Sequence, residues 1–516
     1  MRQVLDAQAM KWLDDYTINN IGIPSMVLME RAALSVATCI KEHVTKADKI
    51  LALAGTGNNG ADAIAAGRIL KQQGYDVDIV LVGNKEKCSL ESRNQINIAR
   101  NLGISLYNNV DIKEYNVIID GLLGIGLNQP VRSEFLDYIK AINQADKKVF
   151  SIDLPSGICA TSGRVLGQAI RADYTITFGY NKIGLILYPG CEYAGQVIVS
   201  DIGFPRIEEL EECNLKHKYK YYIYDNSDLA RLPMRKNDSH KGDYGRVLVI
   251  AGSKGMNGAC YLTSLAAYRS GSGLVKALIP EDNEIAMQAL LPEVILSTYE
   301  RTNRLNDKDK DNIVKELEWA DVIALGPGFG KDEISFEILS LVLNKSRVPL
   351  VIDADGINIL SEILTSKLIT NNNNIEERIG LLREILPKDT ILTPHIKELS
   401  RLLNIEVSEI KDDIFNVINA CTKNNHITFI AKDARTVVAY ENDRFINTSG
   451  NSGMSTGGSG DVLTGIIASL IGQGLSPREG AVLGVYIHGL AGDTYSREKN
   501  QFSLIARDII DGLAKI

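Results

Sequence analysis

The chain has 516 residues, of which 45% are hydrophobic, so it can form roughly two to four domains with buried cores. Its formal net charge of −8 excludes the basic surface by which proteins bind nucleic acids. None of the seven cysteines forms a Cys-x-x-Cys pair, which argues against a zinc site or a disulfide framework and favours reduced thiols in the cytoplasm.

The sequence shows neither a signal-peptide pattern nor a membrane-spanning stretch. The amino-terminal residues MRQVLDAQAMKWLDDY contain acids where a signal peptide would need an apolar run. No stretch approaches the roughly 18 consecutive apolar residues of a membrane-spanning helix. We therefore expect a cytoplasmic protein whose partners are small molecules rather than membranes or nucleic acids.

The first half of the chain begins with helix and continues with alternating strands and helices. Residues 1–45 are predicted to be helical, since apolar residues recur there at three- and four-residue spacing. From Lys49 onward, short apolar runs alternate with helix-length segments, which is typical of a parallel sheet with helices on both faces. The predicted strands are Ile50–Ala54, Val77–Val82, Val117–Ile119, Val149–Ile152 and Tyr174–Phe178.

A charged, tyrosine-rich stretch from Glu208 to His240 separates this half from a second α/β series, and we place a linker near residues 210–225. The strands predicted after it are Arg246–Ala251, Val322–Leu325, Leu350–Ile352, Thr390–Leu392 and Thr428–Ala431. The four asparagines at 371–374 stand among helix-like residues and predict a surface insertion.

The first predicted strand ends in a glycine-rich loop, Gly55-x-Gly57-x-x-Gly60, before a helix. Such a loop is either a plain tight turn or a site where the helix N-terminus binds an anion. A dehydrogenase would carry an acid at the end of its second strand, but that strand ends here in Gly83-Asn84, so this class is not favoured. The polar Asn58, Asn59 and Asp62 suit hydroxyl groups or a small cation.

Two further loops follow predicted strands and begin with aspartate. Asp120 precedes a Gly-x-Gly turn, and Asp153 precedes the sequence Leu-Pro-Ser-Gly. A single aspartate at a strand end is more often a helix cap than a catalyst. Because ligands bind at the carboxyl edge of open α/β sheets, several such loops at one edge favour a ligand site.

The stretches GTGNNGADA, DGLLGIG and SIDLPSG, after a helical MERAA segment, resemble the NAD(P)H-hydrate epimerase domain of the YjeF N-terminal family over residues 1–214. The resemblance implies a Rossmann-like, three-layer α/β/α domain with Asp153 as the catalytic carboxylate. It also implies a potassium ion bound by Asn59, Asp120 and Ser156. The residues it implies for binding the hydrated nicotinamide nucleotide are Asn58, Asn59, Gly60, Ala61, Asp62, Gly124, Ile125, Gly126, Leu127, Asn128, Gln129, Pro130 and Asp153.

The first loop departs from the family pattern, which usually reads NNGGDG, because alanine stands here at positions 61 and 63. Alanine adds a methyl group and does not readily adopt a positive φ. We expect Ala61 and Ala63 to be helical, in which case the change is harmless. In any other conformation, it would weaken the epimerase.

The second half contains the most specific pattern, NSGMSTGGSGDVLTG at residues 451–465, followed by an apolar helix. Gly457, Gly458 and Gly460 leave backbone N–H groups free at a helix N-terminus, where they can form an anion hole for a phosphoryl group. Asp461 lies in the first turn, where it can take a proton from an attacking hydroxyl. A simple helix cap would need only one glycine.

Together with IAGSKGMNGA, GPGFG, LTPHIKEL and KDART, this pattern resembles the NAD(P)H-hydrate dehydratase family over residues 225–516, more closely than it resembles sugar or vitamin kinases. The resemblance implies a ribokinase-like α/β domain with Asp461 as the catalytic base. It implies that the hydrate is held by Ala259, Gly328, His395 and Asp461. It implies that ADP, with Mg²⁺, is held by Lys432, Asp433, Ala434, Arg435, Thr436 and Gly460. The KDART stretch lacks the usual Lys-Gly start, which leaves the affinity for the donor open.

The two resemblances imply a bifunctional repair enzyme for hydrated NADH and NADPH. The first domain would epimerise the R and S hydrates, and the second would dehydrate the S form with ADP as phosphoryl donor, releasing AMP and phosphate. The alternative is a ribokinase-like small-molecule kinase with a non-catalytic N-terminal binding domain. We also expect a homo-oligomer, and we assign no role to His43, His217, His426 or His488.

Overall fold

The computed structural model describes residues 1–132, 134–211, 219–302, 304–368, 375–423 and 425–516. The chain divides into two compact units, one formed by Gln3–Tyr221 and the other by Met1–Arg2 with Tyr222–Ile516. Within the described residues, no helix is long and apolar enough to cross a membrane. Cys213, His217 and the predicted insertion at 371–374 lie outside the described residues.

The N-terminal unit is a parallel sheet between two layers of helices. The chain begins with β1 (Arg2–Val4), α1 (Ala7–Tyr16) and α2 (Ser25–His43). The strands that follow are β2 (Lys49–Ala54), β3 (Asp76–Leu81), β4 (Leu106–Tyr107), β5 (Val117–Gly121), β6 (Lys148–Ile152), β7 (Tyr174–Phe178) and β8 (Gln196–Ser200). The helices between them are α3 (Asn58–Gln72), α4 (Leu90–Asn101), α5 (Glu134–Gln144) and α6 (Gly190–Tyr193).

The seven strands from β2 to β8 lie in the order β4-β3-β2-β5-β6-β7-β8, and every neighbouring pair is parallel. Alternate residues of β2 point to opposite faces. Ile50 and Ala52 pack with α2 and α3, whereas Leu51 and Leu53 pack with apolar residues of α5. This two-sided burial explains the continuous apolar runs from which the strands were predicted. It also brings the carboxyl ends of β2, β5 and β6 together at one edge.

The C-terminal unit contains a larger sheet. Its strands are β9 (Lys220–Ile223), β10 (Arg246–Ile250), β11 (Leu274–Pro280), β12 (Ile295–Tyr299), β13 (Val322–Leu325), β14 (Leu350–Ile352), β15 (Thr390–Leu392), β16 (Thr428–Ala431), β17 (Val437–Tyr440) and β18 (Asp443–Ile446). The sheet has the order β1-β9-β18-β17-β16-β15-β14-β13-β10-β11-β12. All neighbouring strands in the part of the sheet that runs β16-β15-β14-β13-β10-β11-β12 are parallel. The pairs β16–β17 and β17–β18 are antiparallel hairpins.

Helices cover both faces of this sheet and form two separate cores. They are α7 (Asn257–Arg269), α8 (Glu284–Leu290), α9 (Asp307–Trp319), α10 (Glu333–Lys345), α11 (Ala354–Lys367), α12 (Ile375–Ile385), α13 (Ile396–Leu403), α14 (Val407–Asp412), α15 (Ile414–Thr422), α16 (Ser459–Gly472), α17 (Pro477–Glu498) and α18 (Ala506–Leu513). The apolar α16 packs most extensively against α7, so that its N-terminus is held beside the carboxyl edge of the sheet.

The predicted α/β class of both halves is confirmed, and the buried central strands have nearly the predicted bounds. The prediction of helix throughout residues 1–45 is wrong at its start, where Arg2–Val4 form a strand. The helical segment is also interrupted between Ile21 and Pro24, because a π-helical turn at Thr17–Ile21 ends in Gly22 with φ of 88°. The strand β8 was missed because its residues are only partly buried and its apolar run, Val197–Val199, is short.

The glycines of the first loop have different structural roles. A Cβ on Gly55 would overlap the carbonyl oxygen of Leu122, and a Cβ on Gly60 would overlap the carbonyl oxygen of Gly55. These two glycines therefore allow the start of α3 to approach the strand ends closely. A Cβ on Gly57 would meet no atom within 4 Å. Only Gly55 and Gly60 are required by backbone packing.

This difference gives a matched pair of variants. We expect Gly60→Ala to lower the free energy of unfolding of the N-terminal unit by about 1–3 kcal/mol, since the methyl group must displace backbone. Gly57→Ala should change it by less than about 0.5 kcal/mol. Thermal and urea unfolding of both variants measure the difference, and equal stabilities would contradict the close packing of α3.

Candidate active sites

A cavity of about 650 Å³ lies at the carboxyl edge of the N-terminal sheet. Its wall contains Asn58, Asn59, Asp62 and Asp153 together with the predicted contact residues Gly124, Ile125, Gly126 and Leu127. Gly60 and Ala61 are buried inside α3 and do not belong to this wall. Asn128, Gln129 and Pro130 are exposed and also lie outside it.

The two alanines of the first loop are part of α3. Ala61 and Ala63 are fully buried, and neither has a positive φ. The expectation that both are helical is therefore confirmed. Ala63 packs close to Gly121, where an added Cβ would collide with its methyl group. The methyl groups thus face the protein interior and not the cavity.

Asp153 follows β6 and forms a partly buried ion pair. Its backbone has φ of 64°, which lies in the left-handed region. Its Oδ1 accepts hydrogen bonds from Lys182 Nζ at 2.6 Å and Thr177 Oγ1 at 3.0 Å. Lys182 is 1% exposed and also donates to Thr177 Oγ1 and the carbonyl of Phe178, both at 2.9 Å. All three protons of the ammonium group are thereby engaged.

Sequence reasoning missed Lys182, which also belongs to the cavity wall. The available signal was weak: a single lysine shortly after a strand, followed by the apolar run Ile-Gly-Leu-Ile-Leu. A buried lysine needs an anionic partner, because desolvation of its charge is costly. Asp153 is that partner.

Four more acids line the same cavity, Asp14, Asp15, Asp62 and Glu91, and two of them have a raised pKa. Burial, and then the negative charges of Asp153 and Asp14, raise the pKa of Asp62 well above its usual range. Burial also raises the pKa of Asp14, with further contributions from Asp15 and Asp153. Asp14 was not among the predicted residues, because it lies on an amphipathic helix with no motif around it.

The three predicted potassium ligands lie close together around the backbone of Leu123. Asn59 Nδ2 donates to the Leu123 carbonyl at 3.0 Å, and Leu123 N donates to Ser156 Oγ at 2.8 Å. Ser156 donates to both oxygens of Asp120, from Oγ at 2.6 Å and from its backbone N at 2.9 Å. Asp120 is fully buried, and burial raises its pKa despite these hydrogen bonds.

The chemistry of this group fits a hard monovalent cation. Its donors are all oxygens: one carboxylate, one hydroxyl, one side-chain amide and backbone carbonyls. Within the described residues, no lysine, arginine or histidine forms an ion pair with Asp120. A single positive charge would balance the buried carboxylate.

The candidate site of the C-terminal unit lies at the N-terminus of α16. Gly458 precedes the helix with φ of 89°, and a Cβ on Gly457 would meet no atom within 4 Å. A Cβ on Gly460 would lie 3.3 Å from Lys432 Nζ, so the helix backbone and this ammonium group are close neighbours. The free N–H groups of the first turn and the lysine together suit an anion.

Lys432 is held by Asp353, a residue that sequence reasoning did not assign to the site. Lys432 Nζ donates to Asp353 Oδ1 at 2.6 Å, and Thr393 Oγ1 donates to the same oxygen at 2.7 Å. Thr464 Oγ1 donates to Asp353 Oδ2 at 2.9 Å. Asp353 is 1% exposed and directly follows β14. Its position at a strand end was visible in the sequence, but its partner stands far away in the chain.

Asp461, in the first turn of α16, forms no ion pair with any described residue. Burial, followed by the negative charge of Asp353, raises the pKa of Asp461 to about 7, although Lys432 opposes the shift. A carboxyl with a pKa close to neutrality can both accept and release a proton at physiological pH. This property is what a general base at this position requires.

His395 has an observed structural role. Its Nδ1 accepts a hydrogen bond from Glu398 N at 3.1 Å, and Glu398 Oε2 accepts from His395 N at 2.8 Å, so the pair caps α13. Burial lowers the pKa of His395, and Lys432 adds to the effect. The backbone N of Lys432 donates to the carbonyl of Pro394 at 2.8 Å, which keeps His395 near the lysine. The predicted contact with the hydrate stays a prediction.

The other predicted residues of this unit form two groups. Gly328 has φ of 57°, and a Cβ on it would lie 2.8 Å from that of Ala259, so these two residues are adjacent. Asp433, Ala434, Arg435 and Thr436 form the turn between β16 and β17, where Ala434 N donates to Asp433 Oδ1 at 2.9 Å. Gly460 and Lys432 connect this turn to α16.

His488, to which no role was assigned, contacts the glycine-rich loop. Its Nε2 lies 3.0 Å from the carbonyl oxygen of Ser459 and 3.3 Å from Ser459 Oγ. Burial lowers the pKa of His488 to about 4, so the ring is neutral. The histidine therefore supports the first residue of α16. This contact could not be predicted, because His488 is 29 residues from Ser459 in the sequence.

Comparison with known proteins covers both units. The family described as NAD(P)H-hydrate dehydratase matches residues 247–515, and the family described as YjeF-related protein N-terminus matches residues 25–184. A curated relative from Moorella thermoacetica, named bifunctional NAD(P)H-hydrate repair enzyme Nnr, is 32% identical over 526 residues and covers 99% of this chain and 96% of its own length. The chain belongs to this family.

A relative of the same name from Thermofilum pendens is 32% identical over 530 residues, again covering 99% of this chain and 96% of its own. A solved ADP/ATP-dependent NAD(P)H-hydrate dehydratase from Bacillus subtilis, crystallised with ATP and Mg²⁺, is 26% identical with a TM-score of 0.44 and covers 55% of this chain and 92% of its own. Because the curated relatives match both units, a small-molecule kinase with a non-catalytic N-terminal domain is not favoured.

The raised pKa of Asp461 has a consequence for stability. A carboxyl whose pKa is higher in the folded state than in the unfolded chain lowers stability as the pH rises from the unfolded value to the folded one, so the cost is absent below about pH 4 and complete above about pH 7. We expect Asp461→Asn to stabilise the C-terminal unit by up to about 4 kcal/mol at pH 8 and by much less at pH 5.

Thermal and urea unfolding at the two pH values measure this effect. Asp511→Asn, at an exposed position of α18, makes the same change of charge and should leave stability within about 0.5 kcal/mol. A stabilisation by Asp461→Asn that is equal at pH 5 and pH 8 would contradict the raised pKa.

Proposed function

We propose that this chain repairs hydrated NADH and NADPH. The N-terminal unit interconverts the R and S hydrates, and the C-terminal unit dehydrates the S form with ADP as phosphoryl donor, releasing AMP and phosphate. Full-length similarity to bifunctional repair enzymes supports the proposal. The observation that carries it is Asp461, a carboxyl in the first turn of α16 that forms no described ion pair and lies beside the Lys432–Asp353 pair.

In the dehydration, Asp461 takes the proton of the hydrate hydroxyl, whose oxygen then attacks the terminal phosphoryl group of ADP. The bond between that group and AMP breaks, and the N–H groups at the start of α16 stabilise the charge that develops on its oxygens. Phosphate then leaves as the neighbouring carbon loses a proton, which restores the double bond. Hydroxide is a poor leaving group and phosphate is a good one, which gives a kinase-like site a use in dehydration.

The residues proposed for the nucleotide are Gly460 and those from Lys432 to Thr436, and the residues proposed for the hydrate are Ala259, Gly328, His395 and Asp461. Lys432 is well placed to bind phosphate, because Asp353 holds it next to Gly460. Mg²⁺ would bind to the phosphates of ADP, and when bound it would neutralise the charge of the donor.

Asp461→Asn tests the dehydratase. The amide keeps the size of the side chain but cannot take a proton, so we expect dehydration of the S hydrate to fall at least about 100-fold while ADP still binds. In the unmodified protein, the rate should rise with pH up to about 7, as Asp461 loses its proton. NADH formation and calorimetric titration with ADP measure the two properties. Retention of more than a third of the rate would exclude Asp461 as the base.

For the epimerase, Asp153 is the proposed catalytic carboxylate at the wall of the 650 Å³ cavity. Lys182 donates a hydrogen bond to this carboxylate and forms an ion pair with it. Asn59, Asp120 and Ser156 would hold K⁺, which when bound supplies one positive charge beside the buried carboxylate of Asp120. The substrate contacts proposed here are the residues that line the cavity. Gly60, Ala61 and Asn128–Pro130 lie outside the cavity wall and are not proposed as direct contacts.

Asp153→Asn tests the epimerase within the full chain. We expect the variant to convert the R hydrate, with ADP present, no faster than spontaneous epimerisation allows, while the S hydrate is still dehydrated at the original rate. The S hydrate therefore provides the control in the same preparation. If the R hydrate is still consumed at the original rate, Asp153 is not the catalytic carboxylate.

The homo-oligomer and the cytoplasmic location expected from the sequence stay predictions.

A further inference from the structure

Five acidic residues line the N-terminal cavity, Asp14, Asp15, Asp62, Glu91 and Asp153, and of these only Asp153 forms an ion pair with a described residue. Asp153 accepts hydrogen bonds from Lys182 and Thr177, both at Oδ1, and no described group donates to its Oδ2. Asp62 and Asp14 receive no hydrogen bond from any described side chain and form no described ion pair. Asp153 thus has a cationic partner that Asp62 and Asp14 lack, although the three residues line one cavity.

The geometry around Asp153 stabilises its ionised form. Lys182 is buried and donates its three protons to Asp153, Thr177 and the carbonyl of Phe178, so the ammonium group has a fixed position. With Oδ1 occupied in this way, Oδ2 is the oxygen that can take a proton from a ligand. Lys182 therefore acts as a positioning residue for Asp153.

The surroundings of Asp62 stabilise its neutral form. Asp62 lies in the second turn of α3, and the charges that act on it are those of Asp153 and Asp14, both negative. Burial and these two charges raise its pKa, while no cation counters them. A carboxyl group without a cationic partner, beside a carboxylate that is paired with a lysine, can provide the acid while the paired carboxylate provides the base.

We propose that Asp62 is a second catalytic residue of the epimerisation, the acid that protonates the departing hydroxyl, while Asp153 accepts the proton of the water that replaces it. This proposal rests on the proposed epimerase function and assigns the two proton transfers to different side chains. Both side chains belong to the wall of the same cavity, which is the condition for acting on one substrate carbon.

The step balances without an oxidant or a reductant. Water adds to an enamine at the carbon bonded to nitrogen, so the hydroxyl-bearing carbon is attached to the ring nitrogen. Asp62 gives its proton to the hydroxyl, the C–O bond breaks with its electron pair on the departing water, and the nitrogen lone pair forms a C=N bond. A water molecule then attacks that carbon from the other face, returns the electron pair to nitrogen and loses a proton to Asp153.

After one turnover, the proton has moved from Asp62 to Asp153. In the opposite direction, the two residues exchange roles, as microscopic reversibility requires. Exchange with solvent restores the resting state in which Asp153 is ionised beside Lys182. One proton shared by two carboxyl groups is therefore sufficient for both directions of the reaction.

The test uses the full chain without ADP, so that dehydration does not occur. Each purified hydrate epimer is incubated in H₂¹⁸O, and the conversion to the other epimer and the uptake of ¹⁸O are followed by chromatography with mass spectrometry. We expect Asp62→Asn to lower kcat at least about 100-fold with KM changed by less than about threefold, because the amide cannot supply a proton. Asp76→Asn, at an exposed position of β3, should retain the original rate.

Two further measurements guard against a variant that does not fold. Circular dichroism and thermal unfolding check Asp62→Asn directly, and Asp62→Ser provides a second replacement without an acidic proton. The pH profile of the unmodified protein needs no variant: the rate should fall at high pH as Asp62 ionises, and this decrease should be absent in Asp62→Asn. The other titratable groups that line the cavity are Lys11, Asp14, Asp15, Glu91, Asp153 and Lys182.

The outcomes separate this proposal from the epimerase function itself. If the unmodified chain does not accelerate interconversion above the protein-free rate, the proposed function is wrong and this assignment is wrong with it. If the unmodified chain is active and Asp62→Asn keeps more than a third of its kcat, only the assignment of Asp62 is overturned. A larger loss in Asp14→Asn than in Asp62→Asn would overturn it as well, because the proton would then come from Asp14.

Discussion

A lysine–aspartate ion pair with one fully buried partner occurs at the carboxyl edge of the sheet in each unit, and the chemistry of both sites depends on it. Lys182 pairs with Asp153 at 2.6 Å, and Lys432 pairs with Asp353 at 2.6 Å. Neither lysine could be buried alone, because desolvation of an unpaired ammonium group costs several kcal/mol. The aspartate at each strand end is therefore required by the lysine as much as by the ligand.

Near each pair lies a carboxyl group that forms no ion pair with any residue that the structure describes. In the N-terminal unit this group is Asp62, and in the C-terminal unit it is Asp461. Burial and the negative charge of the paired aspartate raise the pKa of both. The same physical arrangement thus provides an acid in one unit and a base with a pKa of about 7 in the other. Backbone packing at Gly55 and Gly60 brings α3 close enough to the strand ends for this arrangement in the first case.

Features formed by adjacent residues of the chain could be predicted from the sequence. The central strands could be predicted because they are buried on both faces and consist of apolar residues, and Asp461 could be predicted because the glycines that surround it are adjacent. Ala61 and Ala63 were expected to be helical, and they are. The strand β8 and the short β4 could not be predicted in this way, since their burial is partial.

The partners of the two aspartates could not be predicted, because they are distant in the sequence. Lys182 is 29 residues from Asp153, and Lys432 is 79 residues from Asp353. Lys182 is an isolated lysine in a loop, which in a sequence resembles a surface residue. The contact of His488 with Ser459 spans 29 residues and was missed for the same reason. Pairings of this kind arise from strand order, which a single sequence does not specify.

The most direct test of the account follows the products formed from the R hydrate by the unmodified chain with ADP. If both units act as proposed, the R hydrate is consumed faster than it epimerises spontaneously, and NADH, AMP and phosphate form in equal amounts. Chromatography of the reaction over time measures all of these species. A phosphorylated hydrate that accumulates without NADH would contradict the account and would indicate a kinase.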